Sequence, residues 1–361
     1  MSVRAAVLTE IGAPMRVSDI DLPEPGPGQV RVRVAATGVC HSDLSLAKGT
    51  LRQPVPAVLG HESAGTVISV GDGVTGCAPG DRVVLCWAPP CGRCWYCTAG
   101  EPWLCEHSSD AAAAPYASWQ GQGLYPGLST AGFAQETVVS ARAVIAVPDE
   151  VPLEQAALVG CAVMTGVGAV LNTAKVREGQ SVLVVGLGGV GLSVVQGARL
   201  AGAGQVIVVD RSPEKLALAQ TMGATDLLEA GGELAKQVRG LTERRGADHA
   251  FDCVGLAETI RASWTATRRG GQTTVVGIGG KEQQVSFTAL ELFHFARTLT
   301  GCVYGSTDPL IDIPKLLGFA AEGRLDLAAL ITGRTGLAGI DDAFEAMARG
   351  EGARVVVTPW Q

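Results

Sequence analysis

The rhythm of apolar and polar positions changes near residue 150. Before it, short runs alternate every second residue between Pro/Gly turns. QVRVRVAATG is the clearest, and GTVISVG and DRVVLC follow at short spacing. A period of two turns one face of each run toward a core, so strands of an antiparallel, β-rich unit are expected. Residues 151–176, VPLEQAALVGCAVMTGVGAVLNTAKV, are dominated by Ala, Leu and Val with few turn residues, and helix is expected there.

Farther on, wholly apolar runs alternate with amphipathic ones. SVLVVGLG, QVIVVD, ADHAFDCVG and QTTVVGIGG read as buried strands, with GLSVVQGARLAGA, SPEKLALAQTMG and ETIRASWTAT as helices between them. That alternation predicts a parallel sheet covered on both faces, hence an α/β fold class with a doubly wound sheet beside the β-rich unit. From about Tyr304 the pattern gives two helices and a short closing strand, ARVVVTP. No internal repeat or low-complexity linker interrupts the chain.

Composition narrows the function classes. A chain of 361 residues, 47% hydrophobic and 17% charged, readily supplies cores for two domains, and 48 glycines suit many tight turns. A net charge of −7 argues against nucleic acid as a partner, because phosphate binding needs a basic face. The opening MSVRAAVLTEIGAPMRV lacks the apolar segment of a secretory signal, and no apolar run reaches membrane-spanning length. A cytoplasmic protein without a membrane is therefore expected, with its ten cysteines serving metal rather than disulfides.

Four of those cysteines, Cys91, Cys94, Cys97 and Cys105, fall within fifteen residues as C-x2-C-x2-C-x7-C. Four close thiolates enclose one tetrahedral zinc and leave no open position, so this site is expected to clamp a loop. Three more candidates are dispersed: Cys40 in GVCHSD, His61 in LGHESAG and Cys161 in LVGCAVMTG. Singly, each reads as a core cysteine or a turn histidine. Together they form a Cys/His/Cys set with a fourth position left for water or substrate. Ser42 stands two residues after Cys40, where a hydroxyl takes a proton from a bound alcohol. Asp43 is placed to orient His61. Glu62 either tunes charge beside the metal or, like Asp43, lies simply in solvent.

Gly186, Gly188, Gly189, Val190 and Gly191 belong to GLGGVG, a G-x-G-x-x-G set directly after the strand SVLVV and before a helix. That context suits a turn over which a dinucleotide pyrophosphate lies. Asp210 ends the next strand nineteen residues after the last motif glycine, where a carboxylate takes the ribose hydroxyls and favours NAD over NADP. Arg211 beside it has the charge to meet a 2′-phosphate, and Lys215 falls one helical turn on, within reach of the ribose.

GVCHSD, GHESAG, the four-cysteine loop and GLGGVG with its downstream Asp, in this order, resemble the zinc-dependent medium-chain alcohol dehydrogenases over essentially the whole chain. That family is known for the Cys/His/Cys catalytic set, so the agreement is part of the resemblance. The resemblance implies a GroES-like catalytic domain, residues 1–162 and 304–361, around a Rossmann NAD-binding domain, residues 163–303, with the active site in the cleft between them. It implies two zinc ions per chain and NAD, reversible hydride transfer between a primary alcohol and its aldehyde, and a homodimer or homotetramer joined through the edge strand in RTLTGCVYGS. Cys40, His61 and Cys161 match the catalytic zinc ligands and Ser42 the first member of a proton relay. His41 and Arg354 match pyrophosphate contacts, Thr165 and Val190 positions beside the nicotinamide, and Trp87, Leu128 and Ile278 pocket-lining positions, Ile278 also on the cofactor side. Gly127 opens space where some relatives carry an aromatic, which with Trp87 suits a flat aromatic or a primary aliphatic alcohol. One position departs: where better-known members carry a His that ends the relay, this chain has Ser45.

Two other readings stay open. One is a polyol, thiol-adduct or formaldehyde dehydrogenase on the same scaffold. The other is a non-catalytic zinc protein that senses NAD(H), for which one zinc per chain suffices.

Overall fold

A computed structural model describes residues 2–361. The period-two runs form strands. Gln29–Gly38 buries Val30, Val32 and Val34 completely and lies at the centre of a mainly antiparallel sheet. The order in that sheet is Val144–Ala146, Arg82–Leu85, Glu62–Val70, Gln29–Gly38, Arg354–Val357, Ile331–Thr335, and Glu136–Ser140 also pairs with Gln29–Gly38. Ser2–Leu8, Arg16–Asp21, Ala117–Trp119, Gln122–Pro126 and Ala57–Val58 close into a small barrel around Leu8, Ile20, Leu59, Leu124 and Phe133. Pairing is not uniformly antiparallel: Ala57–Val58 with Gln122–Pro126, and Ile331–Thr335 with Arg354–Val357, run parallel. Ile331–Thr335 carries no sequence expectation, because a five-residue strand with Gly333 at its middle has no continuous apolar run.

The second sheet is parallel throughout, in the order Asp226–Glu229, Gln205–Asp210, Ser181–Val185, Ala247–Asp252, Thr267–Val275, Thr298–Gly301. In chain order this is three-two-one-four-five-six, the doubly wound arrangement whose crevice lies where the order reverses. Val182, Leu183 and Val184 are completely buried, as strands covered on both faces require.

Residues 151–176 are not one helix. Leu153–Ala156 runs into a 3-10 turn, Ala157–Gly160. Cys161 then leaves helical geometry (φ −145°, ψ −75°), and Ala162–Gly168 continues into a π-helical turn, Ala169–Ala174. The break is a π/3-10 irregularity of the kind common at functional positions. No single helix among the described residues is long and apolar enough to cross a membrane.

Two compact units result, residues 1–162 with 308–361, and residues 163–307. The boundary expected at 303/304 lies four residues later. Tyr304–Ser306 forms a 3-10 turn whose Tyr304 carbonyl accepts from Thr307 Oγ1 at 2.6 Å, and Ser306 Oγ lies 2.8 Å from Thr173 Oγ1 of the second unit.

Candidate active site

Three local irregularities of the first unit bring the dispersed candidate ligands together. Cys40 is extended (φ −117°, ψ 152°) and caps the helix His41–Ala47. His61 directly precedes the strand Glu62–Val70, and Cys161 occupies the helix break. The ligand atoms of Cys40, His61, Glu62 and Cys161 lie within 4.8 Å of one another, all four residues buried. His61 Nε2 is 3.3 Å from Cys161 Sγ.

Asp43, in the first turn of the helix, has no exposed surface. Its Oδ1 lies 3.0 Å from His61 Nδ1 and accepts from the Gly60 N–H at 2.9 Å. A proton on Nδ1 directed at this carboxylate leaves the Nε2 lone pair for a metal. Ser42 Oγ stands 3.9 Å from Cys40 Sγ, so a hydroxyl does sit at the edge of the cluster. Trp87 meets His61 edge-on, with ring centroids 6.3 Å apart.

Glu62 is wholly buried, which removes the solvent-exposed reading for it as for Asp43. It adds a fourth donor, and its neighbour explains its setting. Arg354 lies buried with Nε 3.2 Å from Glu62 Oε2, and its Nη1 donates to the Val39 carbonyl at 2.7 Å. The guanidinium of Arg354, expected from the resemblance to contact a pyrophosphate, is thus held beside the candidate metal-ligand cluster. Gly38 makes the arrangement possible, because a Cβ there would fall 2.2 Å from Glu62 Oε2.

Charge in the cluster is shared. The hydrogen bond with Cys161 holds the Cys40 thiol well below its usual range against the effect of burial, and the same contact pushes Cys161 up. Burial opposes charge on His61, yet Asp43 and Cys40 hold its proton well above the usual imidazole range. Burial pushes Glu62 up to about 8, with Arg354 opposing. A divalent cation would displace these shared protons and satisfy both thiolates, and the soft S/N donor set suits zinc.

The four-cysteine loop is a second, separate cluster, its ligand atoms also within 4.8 Å of one another. Sγ atoms of Cys91 and Cys97 are 4.0 Å apart, and those of Cys94 and Cys105 3.9 Å. The edge of a tetrahedron with ~2.3 Å Zn–S bonds is ~3.8 Å, so the spacing fits one zinc. Backbone N–H groups of Arg93 and Cys94 point at Cys91 Sγ, and those of Cys91 and His107 at Cys105 Sγ. Such donors, Arg93 first, lower the Cys91 thiol to about 6, whereas burial pushes Cys97 up to about 12.

In the second unit, helix Gly189–Leu200 begins inside GLGGVG with Gly188 as its cap. Gly191 packs so closely that a Cβ would lie 1.9 Å from the Gly186 carbonyl oxygen, whereas a Cβ on Gly188 would meet nothing within 4 Å. Close packing below and open space at the helix N-terminus suit an approaching pyrophosphate. Asp210 accepts from the Leu187 N–H at 2.6 Å through Oδ2 and from the Ser212 N–H at 3.0 Å through Oδ1. The carboxylate expected to take the ribose is thereby tied to the glycine-rich turn. Arg211 is exposed, Lys215 buried, Thr165 and Val190 half-buried, and Ile278 exposed; in the first unit His41 is exposed and Leu128 half-buried.

Residues 26–149 match the alcohol dehydrogenase GroES-like domain, and residues 189–322 match the zinc-binding dehydrogenase domain. An S-(hydroxymethyl)glutathione dehydrogenase of Photobacterium damsela subsp. piscicida is 37% identical, covering 99% of this chain and all of the relative. Among solved structures, an alcohol dehydrogenase zinc-binding domain protein from Burkholderia ambifaria superposes with a TM-score of 0.94 at 33% identity, covering 99% of each chain. The benzyl alcohol dehydrogenase of Acinetobacter calcoaceticus gives 0.92 at 28%, again over 99% of each. Candidate metal ligands gathered from three distant segments, a doubly wound sheet and whole-length relatives converge: this oxidoreductase belongs to the zinc-dependent medium-chain alcohol dehydrogenase family.

Proposed function

We propose that the chain oxidises a primary alcohol, aromatic or aliphatic, reversibly to its aldehyde, with NAD as hydride acceptor and two zinc ions per chain. The convergence of Cys40, His61 and Cys161, with Asp43 behind the imidazole, carries this reading. Zinc in that site would supply Lewis acidity to the alcohol oxygen, and NAD the hydride acceptor. The chain's own residues do the rest. Asp43 orients His61, and Ser42 Oγ takes the alcohol proton and passes it on. Glu62, paired with Arg354, sets the charge behind the metal. His41, Thr165 and Val190 contact the cofactor, Lys215 and Arg211 lie on its ribose side, and Trp87, Leu128 and Ile278 narrow the pocket.

The relatives named S-(hydroxymethyl)glutathione dehydrogenase favour a second reading, a hydroxymethyl thiol adduct as substrate. Following NADH absorbance over benzylic, aliphatic and thiol-adduct substrates separates the two. The first reading expects kcat/KM for a benzylic or primary aliphatic alcohol to exceed that for the adduct, and the reverse ranking overturns it. Exposed Leu299 in the outermost strand Thr298–Gly301, with exposed Leu290 and Phe293 in the preceding helix Ala289–Phe295, supports assembly of the chain as a homodimer or homotetramer.

Asp210 should decide the cofactor. Replacing it with Ser removes a charge-assisted contact to the ribose, so the KM for NAD should rise about 10- to 100-fold, the equivalent of roughly 1.5–3 kcal/mol. NADP should then gain relative to NAD, with Arg211 free to meet the extra phosphate. Efficiencies with each cofactor check this, and a wild-type preference for NADP would contradict it.

The four-cysteine zinc should stabilise rather than catalyse. Cys97→Ser is expected to cost about 3 kcal/mol, one ligand's share of the roughly 10–16 kcal/mol that structural sites draw from zinc. At roughly 2–4 °C per kcal/mol for domains of this size, the melting midpoint should fall by about 6–12 °C. An unchanged midpoint, with one zinc lost, would remove the structural role.

A further inference from the structure

Behind His61, buried hydroxyls tie four segments of the first unit together. The Gly60 carbonyl accepts from Thr130 Oγ1 at 2.9 Å and from the Gly132 N–H at 2.7 Å, while the Gly60 N–H donates to Asp43. The residue before the candidate ligand is thus held at both of its polar backbone groups. Thr137 Oγ1 donates to the Thr130 carbonyl at 2.7 Å. Thr37 Oγ1 donates to the Gly132 carbonyl at 2.8 Å and lies 3.0 Å from Ser63 Oγ. Thr37, Ser63, Thr130 and Thr137 have no exposed surface.

The segment gripped by these hydroxyls is strained. Leu128, Ser129 and Ala131 have φ of 45°, 62° and 52°, three left-handed non-glycine residues within four positions. Side chains adopt that region only where the surroundings impose it, and such strain concentrates at functional sites. Here the imposed conformation aims Thr130 Oγ1 at the Gly60 carbonyl.

We propose that Thr130 is a positioning residue of the catalytic metal site, fixing His61 through the Gly60 carbonyl. The inference rests on the reading that Cys40, His61 and Cys161 hold the catalytic metal. A merely structural threonine would affect stability alone, whereas a positioning one alters the metal's surroundings in a folded protein.

The test compares Thr130→Val, which keeps the shape but loses the donor, with Thr130→Ser, which keeps the donor. Cobalt in the catalytic site supplies a ligand-field absorption spectrum, and chelator competition supplies zinc affinity. Thr130→Val should shift the cobalt bands, weaken catalytic-site zinc affinity about tenfold, and lower kcat about tenfold with KM little changed, while Thr130→Ser stays within about twofold of wild type. Wild-type cobalt bands and zinc affinity in a folded Thr130→Val protein overturn the proposal. If Thr130→Val does not fold, Thr137→Val releases the Thr130 carbonyl instead: a shift of the cobalt bands supports the proposal, and an unshifted spectrum overturns it. The underlying site reading fails separately, and visibly, if Cys161→Ser leaves the wild-type cobalt spectrum intact.

Discussion

The Cys161→Ser protein is expected to fold, to retain zinc in the four-cysteine loop, and to lose turnover by at least about 10³-fold. The size follows from the several kcal/mol that a Lewis-acid metal contributes to the transition state, at about 1.4 kcal/mol per tenfold. Folding should survive because Cys161 occupies a non-helical break and takes no part in a sheet ladder. Its Sγ lies 3.3 Å from His61 Nε2, a contact that the metal itself would replace. Circular dichroism, zinc content and NADH formation check the three parts together. Wild-type turnover in this variant would show that Cys161 is a core cysteine after all.

Ser42→Ala should lower alcohol oxidation about 10²-fold, at the lower end of what a positioned proton acceptor contributes. The route beyond Ser42 is where this chain leaves the family pattern, with Ser45 in place of the relay histidine. A hydroxyl relays a proton through hydrogen bonds but has no pKa near neutrality with which to hold one. Oxidation should therefore depend on hydroxide or buffer base and keep rising above about pH 8, with imidazole buffers accelerating it. Ser45→His should raise the low-pH limb, since imidazole accepts the proton near neutrality. Turnover measured against pH, where hydride transfer limits, decides this. Identical, buffer-insensitive profiles for wild type and Ser45→His would place the proton's exit elsewhere, near His41.

Much of this was legible in the sequence because its carriers are local. The period-two run at Gln29–Gly38 and the apolar strands around GLGGVG declare themselves within ten residues. Four cysteines in fifteen residues announce a metal cluster on spacing alone. The catalytic cluster was readable only as three separate motifs, since nothing in one segment says that Cys40 and Cys161 will meet. What the sequence hid is long-range or depends on broken regularity. The helix break at Cys161 lies inside a run whose composition is uniformly helical. Arg354 sits 292 positions from Glu62, and only the pairing of Arg354–Val357 with Gln29–Gly38 brings the two side chains together. Thr130 carries no signal at all, because its role depends on a left-handed turn built from Leu128, Ser129 and Ala131 rather than from glycine or asparagine.

Stepwise zinc removal from the wild-type protein tests alcohol dehydrogenation at the Cys40–His61–Cys161 site most directly. A chelator should first draw zinc from that site, which has a substrate-accessible position, before the closed four-cysteine site gives up its ion. Zinc per chain is measured alongside alcohol-dependent NADH formation as metal is withdrawn and then restored. Activity should vanish as the content falls from two ions to one, while the fold persists, and should return in proportion as the second ion is restored. Full alcohol oxidation with one zinc or none, or no NADH formation from any alcohol with both ions bound, would contradict it.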